Sequence, residues 1–213
     1  MQATRIIALR HGETAWNVDA RIQGNLDIEL NETGRWQARR AAQALASEEI
    51  SAVYSSDLQR AWETARTIAE ATGQTAQTAK TLRERGFGVF EGKTFPQIES
   101  LWPKQALSWR KRDPLWKPEG GESLLDLQQR IHDATTKLAQ KHLGEQIVLV
   151  SHGGVLDMLY RSATGQGLQS PRTWNLGNAT INRLLWTPDG LTLVGWADTR
   201  HLEDGEALDE TSA

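Results

Sequence analysis

Short apolar runs alternate with longer amphipathic segments along the chain. Residues 5–9, 52–55 and 147–151 are apolar over most of their length, a pattern typical of strands that are buried on both faces of a parallel sheet. Residues 79–82 form a shorter run, and we predict a third strand there. Polar residues follow each run directly, so each predicted strand ends abruptly.

Residues that commonly cap helices stand at the start of the amphipathic segments. We predict helices that begin at Asn31 and end near residue 47, begin at Asp57 and end near residue 72, and begin at Ser123 and end near residue 142. The third of these opens with Ser123-Leu124-Leu125-Asp126, which predicts a capping box. A further helix is expected after Gly154.

The order of these elements predicts the fold class. Strands alternate with helices over most of the chain, which indicates an α/β fold with a mostly parallel central sheet. Near the end, residues 179–186 and 191–196 flank Pro188-Asp189-Gly190, and this pattern predicts a hairpin. With 213 residues we expect a single domain over 1–213, with an irregular, proline-containing, lid-like insertion around 86–122.

The composition narrows the classes of partner. A net charge of -3 with scattered lysines and arginines gives no basic stripe for nucleic acid. The chain has no cysteine, which excludes disulfides and cysteine-ligated metal sites. The first apolar run ends at Leu9, and no run reaches the roughly 20 residues of a membrane span. We therefore expect a soluble, cytoplasmic protein without a nucleic-acid or membrane partner.

Five polar side chains follow the predicted strands, at the sheet edge where ligands bind in α/β folds. Arg10 and His11 come directly after the first strand, and His152 comes after the last of the parallel strands. Arg60 lies in the first turn of the helix that follows the second strand, and Glu84 follows the third strand. We predict that these side chains meet in one pocket.

Such a pocket would suit phosphoryl transfer. The planar forks of Arg10 and Arg60 match phosphate oxygens, and helix N-termini add N–H donors. One histidine could attack phosphorus as a neutral imidazole while the other holds the phosphoryl group, and Glu84 could supply a proton. Gly12 would let the backbone near His11 approach the phosphate. The spacing of the histidines matches no metal-binding motif, so we expect no metal.

Each residue also has an ordinary structural interpretation when taken alone. Arg60 could be a solvated helix arginine, and Glu84 could form a surface ion pair. The tryptophans could simply pack in the protein interior, and these are Trp102, Trp109 and Trp116. The basic run Arg110-Lys111-Arg112 could simply be exposed to solvent. A non-catalytic module that binds a phosphorylated ligand also remains open, although it would not need His11, Glu84 and His152 together.

Several sequence blocks resemble those of one family over most of the chain. Leu9-Arg10-His11-Gly12-Glu13-Thr14, with Trp16-Asn17, is similar to the N-terminal signature of the histidine phosphatase superfamily, in the branch that contains phosphoglycerate mutases and related phosphatases. Further blocks that resemble this family are Gln23-Gly24, Leu30-Asn31-Glu32-Thr33-Gly34, Ser55-Ser56-Asp57-Leu58-Gln59-Arg60-Ala61, Leu82-Arg83-Glu84, Pro118-Glu119-Gly120-Gly121-Glu122-Ser123 and Ser151-His152-Gly153.

The resemblance implies a role for each matched residue. It implies a three-layer α/β/α sandwich, with His11 as the phosphorylated nucleophile and Glu84 as the acid and then the base. Arg10, Arg60 and His152 would form the phosphate pocket. Three further positions would help to hold the phosphate or the substrate, and these are Asn17, Gln23 and Gly24. The segment around 86–122 would partly cover the site.

The resemblance leaves two reactions open. A phosphatase passes the phosphoryl group to water, whereas a mutase returns it to a sugar acid and needs 2,3-bisphosphoglycerate as a primer. Trp109-Arg110-Lys111 lies where mutases of the family carry a basic pair, which favours a mutase and a substrate lid. The short stretch from there to Ser123, and the tail around 201–210, resemble the phosphatases instead. We predict a phosphatase of small phosphorylated metabolites that needs no cofactor, with a mutase as the alternative and a homo-oligomer as one option for its assembly.

Overall fold

A six-stranded mixed sheet runs through the centre of the computed structural model, which describes residues 2–203. Its strands are β1 (Thr4–Arg10), β2 (Ala52–Ser55), β3 (Ala76–Thr78), β4 (Gln146–Ser151), β5 (Ile181–Thr187) and β6 (Gly190–Asp198). They lie in the order β3-β2-β4-β1-β5-β6. The first four strands are parallel to one another, and β5 is antiparallel to both β1 and β6. The predicted α/β class and the C-terminal hairpin are confirmed.

Helices cover both faces of this sheet. The described residues form α1 (Ala15–Val18), α2 (Glu32–Leu45), α3 (Gln59–Ala71), α4 (Phe95–Leu101), α5 (Pro103–Arg110), α6 (Leu124–Ala139) and α7 (Gly153–Thr164). Alternate side chains of β1 separate the two faces: Ile7 and Leu9 pack with α2 and α3, whereas Ile6 and Ala8 pack with α6 and α7. Burial of each isoleucine or leucine contributes about 1.5–3 kcal/mol. This arrangement is the expected three-layer α/β/α sandwich.

Two of the predicted helix starts are confirmed, and one is wrong. The Asn31 side chain accepts a hydrogen bond from the Gly34 N–H at 2.8 Å, and Ser123 forms the expected capping box. Asp57 does not cap α3. Its carboxylate instead accepts two hydrogen bonds from the Arg83 guanidinium, at 2.6 and 2.8 Å. The Gln59 N–H, at the start of α3, is bound by a more distant carboxylate, that of Asp27.

The predicted strand over 79–82 is also wrong. The third strand runs from Ala76 to Thr78, and Lys80–Leu82 forms a single 3₁₀ turn. Leu82 is the only large apolar side chain of that run, and it is fully buried in the core. A turn buries this one side chain and leaves its polar neighbours outside. An extended strand would bury no further large apolar side chain there.

The segment over 86–122 forms a small aromatic core of its own, beside the main sandwich. Phe90 lies at its centre, and its ring is 5.4, 5.6 and 5.8 Å from the rings of Trp102, Trp109 and Trp116. These contacts fit the packing role that was considered for the tryptophans. Among residues 2–203, no helix has the length and apolar composition of a membrane span.

Candidate active site

A cavity of about 560 Å³ opens at the carboxyl ends of the parallel strands. The β1–β4 pairing brings the two histidines together, because Arg10 lies opposite Ser151 and the His11 N–H donates to the Ser151 carbonyl at 2.9 Å. The rings of His11 and His152 are 5.2 Å apart between centroids. His11 lines this cavity together with the predicted catalytic and phosphate-binding residues Arg10, Asn17, Gln23, Gly24, Arg60 and Glu84, whereas the fully buried His152 lies behind His11 and does not line it.

The His11 ring has a defined tautomer. Its Nδ1 lies 2.7 Å from the Gly12 carbonyl oxygen, which can only accept, so Nδ1 carries the proton. Nε2 is therefore unprotonated, and its lone pair accepts a long hydrogen bond from the Arg60 Nε–H at 3.3 Å. Burial and then the charges of Arg60 and Arg10 lower the pKa of His11 well below its ordinary value. The ring is a neutral imidazole with an available nucleophilic nitrogen.

His152 occupies the N-cap position of α7 and is completely buried. Neither of its ring nitrogens has a hydrogen-bond partner within the described structure. Burial lowers its pKa well below the ordinary value, and the charges of Arg60, His11 and Arg10 act in the same direction. Leaving a buried polar ring without hydrogen-bond partners costs free energy. A bound anion would remove this cost by accepting a hydrogen bond from the ring N–H.

Two buried guanidiniums supply fixed positive charge. Arg60 is held by the carbonyls of Leu26 and Gly24, both at 2.8 Å, in addition to its contact with His11. Arg10 donates to the Leu176 carbonyl at 2.7 Å, while its Nε has no partner in the described structure. Burial lowers the pKa of Arg10, and it lowers the pKa of Arg60 to about 10. Arg60 thus stays charged at neutral pH although it is buried.

The Glu84 carboxylate is fixed at the start of α7. The Gly154 N–H lies 3.1 Å from both carboxylate oxygens, and the Arg85 N–H donates to one of them at 2.8 Å. A carboxyl group in this position faces the same cavity as His11. It is therefore placed to exchange a proton with a ligand whose phosphoryl group lies at His11.

The three residues expected to hold the ligand all line the cavity, in different ways. The Asn17 side-chain oxygen accepts hydrogen bonds from the Thr14 N–H at 3.0 Å and from Asn178 at 3.3 Å, which leaves its NH₂ group for a ligand. The buried side-chain oxygen of Gln23 has no partner in the described structure. Gly24 has a φ of +51°, which a glycine adopts without strain, and its carbonyl positions Arg60.

Only one residue of the predicted lid triad reaches the cavity. Trp109 lines it, whereas the Arg110 guanidinium lies 4.6 Å from the Phe95 ring centre and pairs with Glu99 at 2.9 Å. Arg110 lines an adjoining cavity of about 440 Å³, which shares Trp109 with this one. Lys111 is exposed and does not line the cavity. The structure therefore does not place the expected basic pair at the site.

Four arginines that were not predicted as site residues also line the cavity, namely Arg21, Arg85, Arg112 and Arg172. Arg85 is buried, its Nε donates to the Glu122 carbonyl at 2.8 Å, and burial lowers its pKa to about 10. Arg85 directly follows Glu84 in the sequence, and this position could have identified it as a site residue. Arg112 directly follows the predicted basic pair, whereas Arg172 lies in an irregular loop after α7 that carries no pattern.

The structure gives Gly12 a packing role. A Cβ atom at this position would collide with the Gly34 carbonyl oxygen and lie 2.9 Å from the Gly34 Cα. Gly12 is thus needed because the loop after β1 packs directly on the first turn of α2. The expected approach of this backbone to a phosphate stays a prediction.

The combination of fold and site defines a class of protein. A neutral buried imidazole, fixed guanidiniums and an anchored carboxyl group at the carboxyl edge of an α/β sheet form a phosphoryl-transfer site. Within residues 2–203, no group of three or more His, Cys, Asp or Glu side chains is arranged to hold a metal ion. The chain belongs to branch 1 of the histidine phosphatase superfamily, whose family model matches residues 6–199. The resemblance drawn from the sequence is confirmed.

Named relatives show which enzymes the chain is similar to. It is 41% identical to phosphoglycerate mutase-like protein 4 of Arabidopsis thaliana over 204 residues, which cover 93% of this chain and 87% of that protein. A metal-independent phosphoserine phosphatase of Arabidopsis thaliana is 36% identical, with 94% of this chain and 84% of that protein covered. A solved structure of a mycobacterial glucosyl-3-phosphoglycerate phosphatase with VO3 matches with a TM-score of 0.81 and 34% identity, and covers 91% of this chain and 99% of that one.

Proposed function

We propose that this enzyme hydrolyses phosphate monoesters of small metabolites through a phosphohistidine on His11. The observation that carries this proposal is the state of the His11 ring. Its Nδ1–H donates to the Gly12 carbonyl, its Nε2 carries no proton and accepts only a long hydrogen bond from Arg60, and burial with the nearby arginines lowers its pKa well below the ordinary value. A group that only bound phosphate would gain more from a charged imidazolium.

In the first step, His11 Nε2 forms a bond to phosphorus while the bond between phosphorus and the ester oxygen breaks. The proton of the Glu84 carboxyl group passes to the departing oxygen, so the alcohol leaves neutral. Arg10 and Arg60 hold the equatorial oxygens, on which the negative charge stays. His152, buried beside His11, donates its one ring N–H to the same oxygens.

In the second step, water attacks the phosphorus of phospho-His11. Glu84, now a carboxylate, takes a proton from that water, and the bond between nitrogen and phosphorus breaks. Inorganic phosphate leaves, and the neutral His11 and the protonated Glu84 are restored. Each residue therefore returns to its starting state within one turnover.

We infer that the alcohol carries an acidic group. Arg85, Arg112 and Arg172 line the cavity beyond the two arginines that serve the phosphoryl group. Phosphoserine and glucosyl-3-phosphoglycerate, which name two of the relatives, both contain a carboxylate. A guanidinium binds a carboxylate through two parallel hydrogen bonds, so the extra arginines suit substrates of this kind.

Mutase activity is the second candidate, because one relative is named phosphoglycerate mutase-like and others, at 37% identity, are named probable phosphoglycerate mutases. It would require 2,3-bisphosphoglycerate as a primer and a closed site that keeps water away from phospho-His11. Arg110 and Lys111 do not line the cavity, and its volume of about 560 Å³ leaves room for water beside a small ligand. We therefore favour hydrolysis, with the segment over 86–122 forming one wall of the site rather than a tight lid.

Two activities measured on one enzyme preparation decide whether water or a sugar acid accepts the phosphoryl group. Phosphate release from p-nitrophenyl phosphate and from 3-phosphoglycerate is measured with EDTA present. Interconversion of 2- and 3-phosphoglycerate, primed with 2,3-bisphosphoglycerate, is measured in parallel, with His11→Ala as the control. We expect release to exceed interconversion and the variant to lose both. Interconversion well above release would establish a mutase, and activity in His11→Ala would refute the proposed chemistry.

A further inference from the structure

Two buried polar atoms on the wall of the cavity lack partners in the described structure and lie outside the phosphoryl pocket. They are Asp157 Oδ1 and Trp174 Nε1, and both residues line the cavity. We propose that Asp157 and Trp174 form a leaving-group subsite, which binds a hydroxyl on the carbon next to the ester carbon. This inference rests on the proposed function, because it specifies the alcohol that the phosphatase releases.

Asp157 lies on α7 and is 4% exposed. Its Oδ2 accepts hydrogen bonds from Arg112 at 2.7 Å and from Arg161 at 3.1 Å. These two guanidiniums hold the orientation of the carboxylate. Oδ1 then remains as a strong acceptor at the cavity wall without a donor, an arrangement that costs free energy until a donor arrives.

Trp174 supplies a donor on the wall of the same cavity. Its ring stacks on Tyr160, with 4.1 Å between centroids, and the Arg161 guanidinium carbon lies 4.7 Å from the ring centre. Because Arg161 contacts both residues, the free Nε1–H and the free Oδ1 belong to one small region of the wall. An indole N–H can only donate, so this buried group needs a hydrogen-bond acceptor from a ligand.

The position of this region along α7 relates it to the leaving group. Gly154, near the start of the helix, holds the Glu84 carboxylate that would protonate the ester oxygen. Asp157 lies three residues further along, which corresponds to about 4.5 Å along the helix axis. A substituent on the carbon next to the ester carbon extends over a comparable distance from the ester oxygen. The subsite is thus placed for a vicinal group.

A hydroxyl is the group that satisfies both atoms. It donates its proton to Asp157 Oδ1 and accepts from the Trp174 Nε1–H. An ammonium group can donate but cannot accept, and it would also meet the positive charges of Arg112 and Arg161. A hydrogen atom would leave both protein atoms unpaired, and sites built to bind a hydroxyl discriminate strongly against analogues that lack it.

Three substrates that differ only in this substituent test the proposal. They are 3-phospho-D-glycerate with a hydroxyl, O-phospho-D-serine with an ammonium group in the same configuration, and 3-(phosphonooxy)propionate with hydrogen. We expect kcat/KM for the hydroxyl substrate to exceed both others by about tenfold or more, which corresponds to roughly one well-made hydrogen bond to a charged group.

Variants assign this preference to the subsite. Trp174→Phe keeps the stacking but removes the N–H, and should lower kcat/KM about tenfold for the hydroxyl substrate only. Asp157→Asn replaces the free acceptor and should reduce the same preference. Trp36→Phe is the matched control, because the Trp36 ring also lies beneath an arginine, Arg40 at 6.0 Å, but is remote from the cavity. This control should keep the wild-type preference.

Turnover of p-nitrophenyl phosphate distinguishes a failure of the subsite proposal from a failure of the proposed function. If the enzyme hydrolyses it through His11 but treats the three substrates alike, or prefers phosphoserine, the subsite is refuted and the proposed function stands. An unchanged preference in both Trp174→Phe and Asp157→Asn would refute it equally. Should Trp174→Phe fail to fold, Asp157→Asn alone decides. Failure of p-nitrophenyl phosphate hydrolysis would instead contradict the proposed function.

Discussion

At the scale of single residues, Glu84 is the side chain whose role is most easily isolated. Its carboxylate is held by backbone N–H groups of Gly154 and Arg85, so the isosteric Glu84→Gln change should leave the fold intact. An amide cannot deliver the proton that an alkoxide requires. We expect a loss of about 10²–10⁴-fold in kcat/KM, which reports phosphoryl transfer to His11 and not the later hydrolysis, for alkyl phosphates and a much smaller loss for p-nitrophenyl phosphate.

The ratio of these two losses is the measurement that matters. p-Nitrophenolate leaves without a proton, so its release reports the remaining machinery of His11, Arg10 and Arg60. Equal losses for both classes of substrate would show that Glu84 positions the phosphoryl group and does not act as an acid. Thermal unfolding of the variant provides the check that the fold is unchanged.

Site residues differ in how far the sequence could predict them. Arg10, His11 and His152 directly follow strands, and strand ends meet at one edge of a parallel sheet, so their meeting was predictable. Arg112 and Arg172 reach the cavity from irregular segments, whose path depends on packing that no local pattern describes. For the same reason the orientation of Arg110, onto Phe95, could not be predicted.

At the scale of elements, the contact between the loop after β1 and α2 fixes the nucleophile. A Cβ on Gly34 would collide with the Glu13 carbonyl oxygen and lie 2.7 Å from the Glu13 nitrogen, both of them backbone atoms. Gly34→Ala should therefore lower the free energy of unfolding by about 1–3 kcal/mol. It should also reduce kcat, because relief of the clash displaces the loop that carries His11.

Gly195→Ala is the matched control for this change. No heavy atom lies within 4 Å of a Cβ built on Gly195, which is in β6, far from the loop. We expect its stability to stay within about 0.5 kcal/mol of the wild type. Chemical denaturation of both variants checks the pair, and a Gly34→Ala protein as stable and active as Gly195→Ala would contradict the account.

Elements with strong local signals were predicted well, and those with long-range determinants were not. Asn31 and Ser123 cap their helices through neighbours three residues away, which the sequence displays. Asp57 resembles such a cap, but Arg83 competes for its carboxylate from a distant part of the chain. The start of α3 is satisfied by Asp27 instead, a partner that only the folded topology brings near. The tail residues 207–210, which resembled those of phosphatases, lie outside the described residues.

At the scale of the whole molecule, two buried neutral histidines make stability depend on pH. Burial holds the pKa of both His11 and His152 well below the value near 6.5 that they have in the unfolded chain. As the pH falls below about 6.5, the unfolded state binds more protons than the folded state. The free energy of unfolding should then fall by up to about 1.4 kcal/mol per pH unit for each histidine.

Denaturation in phosphate-free buffer at pH 7, 6 and 5.5 measures this slope. The contribution should be fully present above pH 6.5 and lost progressively below it, and His152→Gln should remove about half of the slope. Phosphate is left out because an anion at Arg10 and Arg60 would favour protonated histidines and mask the effect. A slope that is the same in the variant and the wild type would show that His152 is not held neutral.

The same topology underlies the central claim, because the β1–β4 pairing and the Gly12 carbonyl together leave one particular nitrogen reactive. Enzyme quenched in alkali during turnover of a labelled phosphate ester should contain a base-stable, acid-labile phosphohistidine. Peptide mapping and ³¹P NMR then identify the residue and the nitrogen. We predict phosphate on Nε2 of His11 and none in His11→Ala. Phosphate on Nδ1, on another residue, or undiminished in His11→Ala would contradict the account.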